Sequence, residues 1–213
     1  MLEAKLTRNH AGLTLWGDYV SLKRLYAFIH RIVEESPIIE DKEGFVLGLA
    51  YDVRKAFEGC RSQEDRTYLN DDHCRCYGVE ILWPVLLVQV GVLRQAMAFI
   101  PTNSLDQAVM YELEHAVETA VRAAMPIMAD EVLHRTKRIG TAPYTHLDSV
   151  LDSRCRYFIG LTGKERLKAL PRLMDTFEPI YRFLATEGAT MQPGTIPPSA
   201  FVDDGSVWPD FKW

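Results

Sequence analysis

Short runs of alternating apolar and polar residues predict the β-structure of this chain. Residues 4–8 and 13–16 alternate on either side of the glycine-containing segment 9–12, a pattern typical of a β-hairpin. Residues 74–83 alternate as well, with Val79 and Ile81 on one face. A strand at 74–83 should therefore join the hairpin in a small antiparallel sheet.

Apolar residues at helical spacing predict helices over most of the remaining chain. The first helix follows Asp18, a predicted N-cap, and runs to about Glu35, and a second covers about 43–58. Residues 84–100 are apolar on almost every side, which favours a central buried helix. We expect this helix to bury Leu87, Val88 and Val92.

Capping signals divide the second half of the chain into further helices. Ser104 opens a predicted capping box and a long helix, which Pro126 breaks or kinks. A shorter helical piece continues to about Lys137, another helix begins at Thr145, and a capping box at Thr162 begins the next.

The order of these elements predicts one domain. We expect residues 1–186 to form a mostly helical α+β domain, with the small antiparallel sheet packed against about six helices. The polar stretch 60–72 has no period and is predicted to be a loop. An all-α bundle is the alternative if the short runs do not pair. Residues 187–213 are rich in glycine and proline and are predicted to be an extended C-terminal tail.

Composition and charge limit the classes of partner that the protein is expected to bind, but they do not indicate an activity. Of the 213 residues, 47% are hydrophobic and 25% charged, which excludes a disordered or collagen-like chain. The net charge of −5 argues against nucleic acid and against a membrane surface, because phosphates require clustered cations. The N-terminus has no apolar leader and the chain has only four cysteines, so we expect a cytoplasmic protein with reduced thiols.

Three segments carry a resemblance to a known family. Residues 17–26 read GDYVSLKRLY, residues 47–54 read LGLAYDVR, and residues 81–84 read ILWP. Together they resemble an uncharacterised bacterial protein family of unknown function, over about the first 130 residues. The resemblance implies no activity, cofactor, partner or site residue.

Two Glu-x-x-His pairs have the spacing of half a dinuclear metal site. They are Glu112 with His115 and Glu131 with His134. On a helical wheel, Glu112 and His115 face away from the apolar stripe around Leu113, whereas dinuclear sites project into the core. We therefore expect a solvent-facing surface with helical ion pairs and no bridging metal. A metal site remains the alternative, should the helix only kink at Pro126.

A second cluster has the side-chain types that bind zinc. It consists of Cys60, His73, Cys74 and Cys76. A Cys-x-Cys sequence on a strand places two sulfurs on one face without the turn of a zinc knuckle. We therefore expect reduced, half-buried cysteines, with zinc as the alternative. No metal and no other cofactor is predicted.

The last six residues contain three large aromatic side chains. Trp208, Phe211 and Trp213 are predicted to anchor the tail, either on their own domain or on a second protomer of a homo-oligomer. Phosphate-binding loops and nucleophile elbows are missing from the sequence. The sequence therefore favours a non-catalytic interaction or self-associating protein. A metal-dependent enzyme that uses the Glu/His or Cys/His residues is the alternative.

Overall fold

The computed structural model of the protein describes residues 1–67, 73–181, 195–201, 208, 210, 211 and 213. Within these residues, four strands and seven α-helices form a mostly helical α+β fold, as the sequence predicts, and the all-α alternative is wrong. The strands are β1 (Glu3–Leu6), β2 (Gly12–Asp18), β3 (Ser62–Thr67) and β4 (His73–Leu82). The helices are α1 (Tyr19–Glu35), α2 (Phe45–Lys55), α3 (Trp83–Ala96), α4 (Ser104–Ala124), α5 (Ala129–Ile139), α6 (Tyr144–Gly160) and α7 (Gly163–Asp175).

The strands form one antiparallel sheet in the order β1-β2-β4-β3. The predicted hairpin is β1 and β2, and β4 pairs with β2 from Gly12 opposite Leu82 to Asp18 opposite Cys76. Apolar side chains of β2 and β4 on one face of the sheet are buried in the core shared with the helices. The predicted joining of 74–83 to the hairpin is therefore confirmed.

Strand β3 corrects the prediction of a loop at 60–72. All six of its residues are polar, so the sequence carries no apolar alternation there. Ion pairs between strands take the place of apolar packing: Lys5 lies 2.9 Å from Glu64, and Arg66 lies 2.7 Å from Glu3. Residues 68–72 of that predicted loop lie outside the described residues.

On the outer face of the sheet, neighbouring residues cover the Trp16 side chain. The Trp16 ring lies against Gly78, where a Cβ atom would come within 2.7 Å of the indole. Lys5 and Arg66 cover the other side of the ring at 4.9 and 5.4 Å from its centroid. Trp16 is therefore only 7% exposed, although it lies on the side of the sheet away from the helices.

The central helix is α3. It begins with Pro84 in its first turn, where the missing N–H costs no hydrogen bond, and it packs against the six other α-helices. A single turn of 3₁₀ helix, Met97–Phe99, follows it. The predicted burial is confirmed, because Leu87, Val88 and Val92 are at most 3% exposed.

The helix starts agree with the sequence at some caps and correct it at others. Asp18 caps α1, with its carboxylate accepting the Ser21 N–H at 2.8 Å, and Thr162 with Glu165 forms the predicted capping box of α7. The prediction of Ser104 as a cap is wrong: Asn103 caps α4 and shares its capping box with Asp106. An amide oxygen one residue earlier takes the role expected of the hydroxyl.

Two further boundaries are settled by prolines. The chain breaks at Pro126, because α4 ends at Ala124 and α5 begins at Ala129. The helix expected from Thr145 begins one residue earlier, at Tyr144, behind Pro143. None of the described helices is both long and apolar enough to cross a membrane.

Candidate binding cleft at the edge of strand β4

Strand β4 is longer than the strand that covers its outer edge. β3 pairs with β4 only from Thr67 opposite His73 to Ser62 opposite Gly78. Residues 79–82 remain paired with β2 on the other side, but no described strand pairs with them on the β3 side. Since alternate residues of an antiparallel strand direct both N–H and C=O to the same edge, two of these four residues present backbone groups there.

A cleft of about 630 Å³ lies along this uncovered edge. Its floor is the β4 backbone from Gly78 to Leu82, and Val85 extends the floor into α3. One wall comes from α2 and the start of β3, through Asp52 and Arg61, and the other comes from the C-terminal aromatic residues. The volume is in the range of protein clefts that bind small molecules or short peptide segments.

Two carboxylates and one guanidinium give the cleft its charge. Asp52 accepts a hydrogen bond of 3.2 Å from Arg61. Burial raises the pKa of Asp52, and the Arg61 guanidinium acts in the opposite direction. Glu80 is exposed and makes no hydrogen bond or ion pair with any described residue. The cleft therefore carries one excess negative charge, at an accessible side chain.

The aromatic wall packs on the same chain. Phe211 and Trp213 lie 5.0 Å apart between ring centroids and contact a small apolar cluster of Ala11, Leu82 and Ile159. The Trp213 carbonyl oxygen accepts hydrogen bonds from the backbone and side chain of Asn9 at 3.3 and 2.7 Å.

Trp208 forms the outer part of this wall. Its indole N–H donates to Asp152, and the side chain remains 36% exposed. Residues 182–194, 202–207, 209 and 212 lie outside the described residues, and with them most of the predicted tail. Trp208, Phe211 and Trp213 thus occupy one side of a cleft, which the sequence does not indicate.

Comparison with known protein families gives a match over almost the whole chain. Residues 2–213 match the sequence profile of DUF6904, a domain of unknown function. The chain belongs to this family. A search of curated proteins and a search of solved structures each found no match. Membership of DUF6904 therefore does not indicate an activity. The match extends beyond the first 130 residues, over which the sequence was expected to resemble a known family.

The two Glu-x-x-His pairs have different contacts in the structure. Glu112 accepts a hydrogen bond of 2.7 Å from the Leu2 N–H, which fixes α4 to the N-terminal strand. His115 is exposed. Glu131 pairs with Arg135 at 2.6 Å, and His134 is exposed beside the groove between α4 and α5.

The cysteine and histidine candidates lie at two ends of the β3 segment. Cys60 is exposed at the end of a π-helical turn, Ala56–Cys60, in which Gly59 has a φ of 81°. His73 is exposed at the start of β4, and its Nδ1 lies 3.2 Å from the Thr67 hydroxyl. No group of three metal-binding side chains occurs among the residues that the structure describes.

The charged residues of the cleft were not among the sequence candidates. Asp52 is one polar position on an amphipathic helix, and Glu80 is one polar position on an alternating strand, so neither is distinctive by type or spacing. What distinguishes them is the place where β3 begins: Ser62 lies opposite Gly78, so β3 covers no residue of β4 beyond Gly78. Because β3 was predicted to be a loop, the sequence could not indicate where the edge of β4 is left uncovered.

Proposed function

We propose that this protein is a non-catalytic binding protein that takes an extended, positively charged peptide segment of a partner along the uncovered edge of β4. The observation that carries the proposal is that β4 continues for four residues beyond the end of β3, on the floor of a cleft. Sheet edges of this kind bind extended peptides by main-chain hydrogen bonds, with side-chain contacts adding specificity.

The floor and the aromatic wall suit the backbone of such a segment. An extended peptide of about four residues spans about 13 Å, the length of the uncovered part of β4. The exposed ring of Trp208 and the partly buried rings of Phe211 and Trp213 offer apolar contact area beside the edge. These contacts would compensate for the few hydrogen bonds that two residues can provide.

Charge supports a basic partner. Glu80 is accessible and unpaired among the described residues, whereas Arg61 is already engaged by Asp52. A lysine or arginine of the bound segment could approach both Glu80 and the face of Trp208, where cations are also stabilised. The net charge of −5 favours the encounter in the same direction.

The other expectations from the sequence remain proposals beside this one. We place the binding event in the cytoplasm, without nucleic acid, membrane or cofactor. A homodimer in which a second copy covers the same edge is a competing occupant, and the experiment below distinguishes it. The metal-dependent enzyme remains an untested alternative that no contact among the described residues favours.

The test uses two capped seven-residue peptides and isotope-labelled full-length protein. One peptide alternates valine with lysine, and the other alternates valine with glutamate. We expect the lysine peptide to bind and to shift the backbone amide resonances of residues 79–82. Glu80→Lys should weaken its binding at least about tenfold, which corresponds to about 1.4 kcal/mol. The control Glu34→Lys makes the same charge change at an exposed position of α1 and should have less than a twofold effect.

Three results would contradict the proposal. The glutamate peptide could bind as tightly as the lysine peptide, or the shifted amides could lie away from 79–82. Light scattering could also show a dimer whose formation protects these amides, in which case a second copy and not a partner peptide occupies the edge.

A further inference from the structure

The first half of β4 carries two cysteines on one face. Cys74 and Cys76 are separated by one residue, so both side chains lie on the outer face of the sheet, about 7 Å apart between Cα atoms. The Cα atoms of disulfide-linked cysteines lie up to about 6.8 Å apart. The Cys74 thiol donates a hydrogen bond of 3.7 Å to the carbonyl oxygen of Arg75, the residue between the two cysteines. A small contraction of the strand would therefore bring the sulfurs into bonding distance.

The two thiols differ in access. Cys74 is partly exposed, whereas Cys76 is only 1% exposed. The first can meet a reagent from solution, whereas the second is shielded from solvent. This is the arrangement of an attacking thiol and a resolving thiol.

Between the two cysteines, the pairing of β4 falls from two neighbouring strands to one. Pairing with β2 ends at Asp18 opposite Cys76, so Cys74 is paired only with Arg66 of β3. A strand held on one side can contract with less loss of hydrogen bonding than one held on both sides. Contraction at the Cys74 end is therefore opposed by pairing with β3 alone, whereas Cys76 is held on both sides.

We propose that Cys74 and Cys76 form a reversible disulfide by exchange with a low-molecular-weight disulfide. The Cys74 thiolate attacks one sulfur of the reagent, which releases one thiolate and leaves a mixed disulfide on Cys74. The Cys76 thiolate then attacks Sγ of Cys74 and releases the second thiolate. The protein loses two electrons and two protons, and the reagent is reduced to two thiols.

Charged groups around the pair set the rate of exchange. Burial, the neighbouring Cys76 and the Asp18 carboxylate raise the pKa of Cys74, and the N-terminal ammonium acts in the opposite direction. On β3, Glu64 lies opposite Cys76, and the Arg66 guanidinium is close enough to interact with the Cys76 sulfur. Because exchange needs the thiolate, it should be slow at neutral pH and rise about tenfold per pH unit up to the pKa of Cys74.

Trypsin provides a specific readout, because Arg75 lies between the two cysteines. In the reduced protein, cleavage places Cys74 in the peptide 67–75 and Cys76 in the peptide 76–94. Full-length protein is incubated with oxidised glutathione, its free thiols are blocked, and the denatured digest is measured by mass spectrometry without reductant. We expect a species that contains both peptides and lacks two hydrogens, and that disappears after treatment with dithiothreitol.

Matched variants keep the test independent of folding defects. Cys60→Ser removes the exposed cysteine and should leave the linked species unchanged. Cys76→Ser should abolish it and trap glutathione on Cys74. Stable glutathione on Cys74 of the unaltered protein, or a link from either peptide to the Cys60 peptide 56–61, would overturn the proposal. The result is independent of peptide binding at residues 79–82, because it is measured without the peptide.

Discussion

The two halves of β4 continue the same strand but lose different neighbours. Residues 79–82 keep β2 and extend beyond β3, which leaves an edge beside a cleft. Residues 73–75 keep β3 and extend beyond β2, which leaves a two-stranded ribbon. The inner side chains follow this division, since Val79 and Ile81 are buried whereas His73 and Arg75 are exposed.

This difference shows how one strand can serve two kinds of chemistry. The second half has a rigid apolar side against the helices and free backbone groups on one edge, which is suited to holding a bound chain. The first half has few apolar contacts and a pair of thiols, which is suited to small covalent changes. Gly78 separates the halves, beneath the Trp16 ring.

The largest expected difference between the halves is in stability. Ile81→Ala removes a side chain that is 4% exposed in the core, so we expect a loss of about 2–4 kcal/mol in the free energy of unfolding. Arg75→Ala removes an exposed pair with Asp65 and should leave the free energy of unfolding almost unchanged. Urea unfolding of both variants measures the contrast. Equal losses would show that the two halves are equally part of the core.

The elements predicted from the sequence are those with an apolar period. The hairpin and β4 each bury one alternating set of side chains, and α3 is apolar on almost every side, so the local sequence is enough to find them. Strand β3 has no such set: its pairs with Glu3 and Lys5 join residues about sixty positions apart. No local pattern contains that information. The cap at Asn103 was misplaced by one residue because asparagine and serine are almost equally good caps.

The candidate site was less accessible to prediction than the fold. The sequence identified Trp208, Phe211 and Trp213 by their size, but not the cleft that they flank. It identified Cys74 and Cys76 as zinc ligands to be weighed, but their sharing one face near the end of β2 depends on the register of the sheet. The positions of Asp52 and Glu80 in a cleft depend on where β3 begins. In each case the missing information is a contact between distant segments.

The junction between the halves gives the next largest effect. In Gly78→Ala, the new methyl group would come within 2.7 Å of the Trp16 ring, which Lys5 and Arg66 hold from the other side. We expect a loss of about 1–3 kcal/mol, because the ring must shift against this cover. Chemical denaturation measures the loss, and a change in the tryptophan fluorescence relative to the unaltered protein should accompany the shift. A loss below about 0.5 kcal/mol would mean that the outer face is loosely packed.

Asp18 marks the end of β2 and should show a pH-dependent effect. Burial alone would raise its pKa, but hydrogen bonds from the Ser21 N–H, the N-terminal ammonium and the Ser21 hydroxyl outweigh burial and lower it from 3.8 to about 2. A lowered carboxylate pKa stabilises the fold above about pH 4, and this contribution is lost as the pH falls towards 2. Asp18→Ala should therefore cost about 1–2 kcal/mol at pH 6, and the difference from the unaltered protein should shrink between pH 4 and 2. A difference that stays constant over that range would show that the charge of Asp18 contributes nothing.

The smallest expected effect concerns the aromatic wall, which belongs to one half of β4 alone. Removing residues 206–213 eliminates the contacts of Phe211 and Trp213 with Leu82 and the two hydrogen bonds from Asn9. The rings are only partly buried and the ordered chain costs entropy, so we expect a net loss of about 1 kcal/mol, or a melting temperature lower by about 2–4 °C. Because the described contacts lie within one chain, the shift should be the same at low and high protein concentration.

The amides of residues 79–82 should exchange hydrogen faster, whereas the Cys74–Cys76 disulfide should form as before. An unchanged melting temperature would show that the tail does not anchor, and faster disulfide formation would show that the two halves of β4 are coupled.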